Sequence, residues 1–149
     1  MQRKIQHTFF FPNTPADVWE YLTKSELIAQ WLMENNFKLE LGHDFQFNTK
    51  PIIKLGFDGK IYCKVLEIVP LKKLSYSWKG GQGEKVNLDT IVTWTLVPLN
   101  NGTKLQLEQT GFKGAKNFLA HFFMNIGWIK IGKRFLSHLN AATHGTTNA

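Results

Sequence analysis

From Phe37 to Leu107 apolar side chains recur mostly at every second position, and from Ala115 to Ala142 they recur at every third and fourth. The first spacing lines one face of a strand; the second lines one stripe of a helix. A chain that ends a long strand-patterned run with one long helical run is driven to lay that helix on an antiparallel sheet, an α+β arrangement. The helical stretch contains no proline, so a single element can run through it. Gly127 and Gly132 are its weak points, and a bend or break is expected near Gly127.

The earlier residues fit the same plan. Ile5, His7, Phe9 and Phe11 alternate with Lys4, Gln6, Thr8 and Phe10, which predicts a strand ended by Pro12 and Asn13. Thr14 is a suitable N-cap, with Pro15 at the first helical position, Asp17 in the first turn and Val18, Trp19 and Leu22 on the buried side. Thr23 and Glu26 have capping-box spacing, which starts a second helix at Thr23 with Leu27, Ile28, Trp31 and Leu32 at helical intervals. About six strands should follow. Phe37, Leu39 and Leu41 form the first, and Gly42-His43-Asp44 turns it into Phe45 and Phe47. Beyond a loop at 51–59 come Lys60 to Val69, then Leu74, Tyr76 and Trp78, and a turn at Gly80-Gly81-Gln82-Gly83. Val86 to Leu99 follows, and Asn100-Asn101-Gly102 turns it into Leu105 and Leu107. Residues 143–149 should fray. No linker or repeat divides the 149 residues, so one domain is expected.

Hydrophobic residues make up 43% and charged residues 19%, which excludes a disordered or fibrous chain. The one cysteine, Cys63, excludes a disulfide scaffold and suits a reducing compartment. No run reaches the ~18 apolar residues of a spanning helix, and the N-terminal alternation is not a secretory signal core. A cytoplasmic protein without membrane insertion is the expectation. The net charge of +7 raises nucleic-acid binding, but the lysines are scattered and only Arg3 and Arg134 could offer a planar fork to bases. No specific nucleic-acid partner is expected. One asymmetry remains: no acidic residue follows Glu108, whereas Lys113, Lys116, Lys130, Lys133 and Arg134 do.

Several segments together resemble a known family. Pro15-Ala16-Asp17-Val18-Trp19, Leu22 to Leu27 and Trp31 look like the opening of the activator of heat-shock-protein-90 ATPase homologues, within the START-like (SRPBCC, birch-pollen-allergen-like) superfamily. Gly42 with Phe45 and Phe47, Val65 to Pro70, Leu74, Tyr76 and Trp78, Val92, Trp94, Leu96 and Pro98 continue the pattern. Gly102-Thr103, Leu105, Leu107, Gly111-Phe112 and Gly127-Trp128 complete it, over roughly residues 3 to 140. The resemblance implies the helix-grip fold, a curved sheet around a long C-terminal helix with a cavity between them. Superfamily members bind lipids, sterols or polyketides, and a few cyclise or dehydrate polyketides. Gln109 stands where many relatives carry a histidine, so no role of that histidine is carried over.

The residues themselves show little chemistry. No pair among His7, His43, His121, His138 and His144 has helical metal-site spacing, and no carboxylate cluster joins them, so neither metal nor cofactor is expected. Strand alternation puts His7 on the face of Phe9 and Phe11, where it could orient a ligand or satisfy a core bond. His138 and His144 should face solvent near a helix end. Cys63 lacks a basic activator and reads as a buried thiol. Gly80 to Gly83 lacks the Lys-Ser/Thr of a phosphate loop. No catalytic residue can be named.

The aromatic inventory is the remaining signal: five tryptophans, 12 phenylalanines and three tyrosines. The inward candidates are Phe9, Phe11, Trp31, Phe45, Phe47, Tyr76, Trp78, Trp94 and Leu107 from the first helices and the sheet, and Phe118, Phe122 and Trp128 from the long helix. They either line a pocket of ~300–1,000 Å³, with His7, Tyr76 and Gln109 as polar handles, or simply fill a core. The leading expectation is non-catalytic binding of a small hydrophobic molecule, with Trp94→Arg weakening binding more than folding. The alternatives are a stress-related chaperone-contacting module and a polyketide cyclase or dehydratase.

Overall fold

The computed structural model describes residues 2–147. Strand β1 (Gln2–Phe11) leads into helices α1 (Pro15–Thr23) and α2 (Ser25–Trp31). Six strands follow: β2 (Glu34–Asn35), β3 (Asp44–Asn48), β4 (Lys60–Val69), β5 (Lys73–Gln82), β6 (Lys85–Leu99) and β7 (Gly102–Lys113). Short 3-10 turns sit at Ile53–Leu55 and Ala115–Asn117, and α3 (Phe118–Thr147) closes the chain. The strands form one antiparallel sheet in the order β1-β7-β6-β5-β4-β3-β2. Register shifts at Arg3/Lys4, Val65/Glu67 and Gly80/Gly81 bend the strands, and the sheet curves toward α3. This is the expected helix-grip arrangement.

Thr14 caps α1 as its position predicts: its Oγ1 accepts from Asp17 N at 3.2 Å, and Val18, Trp19 and Leu22 are buried. The second helix begins later than expected. Thr23 Oγ1 donates to Trp19 O at 2.7 Å, which keeps Thr23 in α1, and α2 starts after Lys24 with no side-chain cap. Residues 37–41 are not a strand. Glu40 N bonds Lys38 O at 2.8 Å within the segment, so only Phe37 is buried, against the Phe45 ring, while Leu39 and Leu41 face solvent. The expected glycine turn is also displaced. Gly80 and Gly81 stay in β5, paired with Leu88 and Val86, and the chain reverses at residues 83–84.

The core is an aromatic stack joining helices to sheet. The Phe135 ring of α3 lies parallel to Trp31 of α2 at 4.1 Å and meets the edge of Phe11 at 4.8 Å. Trp94 on β6 stands edge-on to both Trp31 (5.7 Å) and Trp128 (5.6 Å). Each such pair adds about 0.5–1.5 kcal/mol beyond its buried area. Helix α3 shows no break at Gly127 and continues to Thr147, through most of the stretch expected to fray. Burial of Trp128, Phe135 and Leu139 on one stripe outweighs the propensity cost of its glycines. At Gly132 the helix comes closest to β1: a Cβ there would run into the Phe9 ring. Among the described residues no helix is long and apolar enough to cross a membrane.

If the ring stack seats the helix, Phe135→Ala should lower the free energy of unfolding by about 3–5 kcal/mol in a urea titration. A loss below about 1 kcal/mol would mean that the stack is not what holds α3 down.

Candidate functional site

Every fully buried side chain of α3 lies at Trp128 or beyond; between Phe118 and Gly127 none is. The first part of the helix is held to the β1 and β7 side by His121, which meets Lys4 O and the Phe112 ring, and by Asn125. On the β5 and β6 side it stands off the sheet, and a cleft of about 400 Å³ opens beneath it. Ala120, Met124, Gly127, Trp128 and Ile131 form the helix wall. Ile61, Trp78, Gly80, Gly81 and Leu88 form the floor, from β4, β5 and β6. The third wall is the loop between β3 and β4, with Ile52, Gly56 and Phe57. The mouth lies between half-exposed Leu119 and Phe123 on one side and exposed Ile52 and Lys54 on the other.

Backbone bonds fix that loop. Thr49 N donates to Gly59 O at 2.7 Å and Asp58 N to Gly81 O at 2.8 Å. The Asp58 carboxylate accepts from Gly83 N (2.9 Å) and Lys60 N (3.0 Å), and these bonds hold its pKa below the usual carboxylate range. Gly59 has φ +88°, and a Cβ there would strike Thr49 O, so this corner requires glycine. The Phe57 ring lies over Gly80, 3.6 Å from where a Cβ would stand. Gly80 thus lies flat beneath the ring that walls the cleft, while a Cβ at Gly81 would strike the β6 backbone at Lys85 O.

Two amides stand in the wall and both bond to protein. Asn87 Nδ2 donates to Gly56 O at 3.2 Å. Asn117 Nδ2 donates to Asn87 O at 2.8 Å and its Oδ1 accepts from Lys113 N at 2.9 Å. They tie helix start, β6 and loop together, and the remaining lining is predominantly apolar. A depression of similar size, about 420 Å³, lies among Gln6, Thr8, Thr93, Thr95, Gln106 and Glu108 on the opposite face of the sheet. Its lining is mainly polar, so the cleft under α3 is the better candidate for a small apolar molecule.

The family model for "Activator of Hsp90 ATPase homolog 1-like protein" matches residues 12–140. The chain belongs to that family. Protein MLL2253 from Mesorhizobium loti is 30% identical and superposes with a TM-score of 0.83, over 93% of this chain and 98% of that one. BH1534 from Bacillus halodurans is 27% identical, with a TM-score of 0.72 over 93% and 99% of the two chains. DynU16, a protein in the dynemicin biosynthetic locus, shares the fold at 18% identity and a TM-score of 0.74, over 93% of this chain and 48% of its own. No curated protein matches the sequence.

Within this member of the activator-homologue family the twelve inward candidates divide. Trp78 and Trp128 line the cleft. Phe11, Trp31, Phe45, Phe47, Tyr76, Trp94 and Leu107 are buried in the core, and half-buried Phe9 packs under Gly132; none of these lines the cleft. Trp94 is 1% exposed and its Nε1 donates to Tyr76 Oη at 2.9 Å, so Trp94→Arg would act on folding rather than on binding. Phe118 and Phe122 point outward, 49% and 50% exposed. At 3.6 residues per turn they stand roughly 80° and 120° around the helix from Trp128, which sets the seated stripe.

The three polar handles also lie elsewhere. His7 Nε2 donates to Asn125 O at 3.2 Å. The Tyr76 hydroxyl, pushed above its ordinary pKa by burial, receives the Trp94 bond. Gln109 is 0% exposed: its Oε1 accepts from Trp128 Nε1 at 2.8 Å, its Nε2 donates to Thr90 Oγ1 at 2.8 Å, and Thr90 Oγ1 donates to Trp78 O at 2.9 Å. This chain of bonds lies behind the cleft and ties Trp128 of the helix wall to the Trp78 backbone of the floor. Cys63 is a buried thiol, raised in pKa by desolvation. His138 is exposed, as expected, while the side chain of His144 lies outside the described residues. Of the lining residues that sequence reasoning did not single out, Phe57 sits in a loop without periodic signal. Leu88 is in phase with Val92 and Trp94 on β6 and Met124 stands one turn before Trp128 on α3, so alternation and helical spacing could have found both.

Gln109→Leu keeps volume but leaves Trp128 Nε1 without its acceptor in the core. It should cost about 1–3 kcal/mol of unfolding free energy and shift the tryptophan emission of the folded protein. Unchanged stability and emission would remove Gln109 as the support of Trp128 in the helix wall.

Proposed function

We propose that this chain holds a small hydrophobic molecule in the cleft under the start of α3 and does no chemistry on it. The observation that carries this reading is the lining: Trp78, Trp128, Phe57, Leu88, Met124 and Ile131 surround a volume suited to a small lipid-like or polyketide-like guest. Binding draws on burial of apolar area at roughly 25 cal/mol per Å². The asparagines at the cleft wall are engaged with backbone and can offer a guest only their remaining lone pairs or hydrogens. A cyclase or dehydratase would need acid–base groups facing the guest. His7 and Tyr76, the candidates for that work, bond to Asn125 and Trp94 instead, which favours binding over turnover.

Gly127 provides the test. It lines the cleft from the helix, and a Cβ built on it meets nothing within 4 Å. Gly127→Phe therefore starts its side chain in open space on the cleft wall, so that its ring takes up cleft volume, and improves helix propensity by a few tenths of a kcal/mol, ~0.5 at most. Titrated with a neutral naphthylamine dye, the wild-type protein should show saturable, displaceable fluorescence. The variant should bind about tenfold more weakly or worse, a loss of ~1.4 kcal/mol, while its melting temperature holds or rises. Equal dye affinity in both proteins would place binding outside the cleft and end this reading.

A further inference from the structure

The first roughly three turns of α3 are apolar on the side away from the sheet. Phe118, Leu119, Phe122, Phe123, Ile126 and Ile129 are each between 41% and 53% exposed. On a regular helix they share an arc of roughly 140°. Isolated exposed apolar residues are ordinary, but a contiguous face of this kind marks a contact surface. Ile53, 85% exposed, extends it from the far side of the cleft mouth.

Both ends of the α3 face carry cations. Exposed Lys130, Lys133 and Arg134 occupy the next turn of the same side of α3. At the other end the Arg3 guanidinium lies 4.7 Å from the centre of the Phe118 ring, with exposed Lys113 nearby at the end of β7. No acidic residue follows Glu108, and Glu108 itself is bonded to Gln6. A second copy of the chain could cover the rings, but a parallel helix pair would set Lys130–Arg134 against itself. An antiparallel pair would set it against Arg3 and Lys113. Either arrangement brings cations together. An anionic lipid surface meets both demands at once, with acyl chains for the rings and phosphates for the cations.

We propose that the outward face of α3, together with Ile53, docks on the surface of an anionic bilayer, lying in the interface without spanning it. The docked pose turns the cleft mouth toward the lipid. The docking itself rests only on the apolar face and its cationic ends, and needs no guest in the cleft.

Vesicle flotation tests it, with phosphatidylcholine alone compared with equal parts of phosphatidylcholine and phosphatidylglycerol. The protein should float with the anionic vesicles and be released by salt. Phe122→Ser should lower the partition coefficient about tenfold, and Lys130→Gln and Lys133→Gln about fivefold each. None of these residues lines the cleft, so all three variants should keep wild-type melting temperature and naphthylamine binding; docking and cleft binding thus fail separately. Absence of flotation, or equal flotation with both vesicles, would overturn the proposal. So would a concentration-dependent dimer in sedimentation equilibrium that Phe122→Ser abolishes, since the face would then belong to a second copy.

Discussion

The seating of α3 decides the rest. A helix crossing a curved sheet can bury only the stripe that the sheet can reach, and here that stripe begins at Trp128. From there on it is fixed by Phe135 stacked on Trp31, by Leu139, and by the bond from Trp128 Nε1 to Gln109. Before that point His121 and Asn125 tie one flank of the helix to β1 and β7, while toward β5 and β6 its side chains are small or partly exposed and it spans a gap instead of filling one. The cleft and the outward ring face are two sides of the same half-seated segment.

Polar groups support this arrangement from behind rather than from within. Gln109 is fully buried and fully engaged, joining α3, β7 and β6, and Thr90 carries the bonding on to the β5 backbone at Trp78. Buried networks of this kind are costly when broken and specify one packing when intact. Asn87, Asn117 and Asp58 do the same for the loop wall at the surface. The cleft thus has a rigid floor and pinned loop, while its helical wall is the least buried part of α3. Segments with few buried contacts open at lower free energy, which is where entry of a guest would be easiest.

Much of the architecture was legible because one face of each long element is buried and the other wet. Alternation at Ile5 to Phe11 and at Val92 to Leu96, and helical spacing from Trp128 to Leu139, report that directly. Residues 37–41 misled because the same alternation occurs in a segment that bonds to itself, and Gly80-Gly81 because glycine in a strand looks like a turn until the Phe57 ring is seen over the first and the β6 backbone against the second. The site was harder to read. Inward aromatics such as Trp31 and Trp94 carry the same periodic signal as Trp78 and Trp128, yet the first pair fills the core and the second lines the cleft. Which rings meet empty space depends on where the helix leaves the sheet, and that is set by packing between residues far apart in the chain. Phe118 and Phe122 show the converse: helical periodicity located a stripe, but not which of two stripes the sheet would take.

The most direct test of the central claim reads the five tryptophans separately, through their indole N–H resonances, during titration with the naphthylamine dye. Saturable shifts at Trp78 and Trp128, with Trp31 and Trp94 unmoved, are what a half-seated helix over an open cleft requires. Shifts centred on Trp31 and Trp94, or none at any indole, would contradict it.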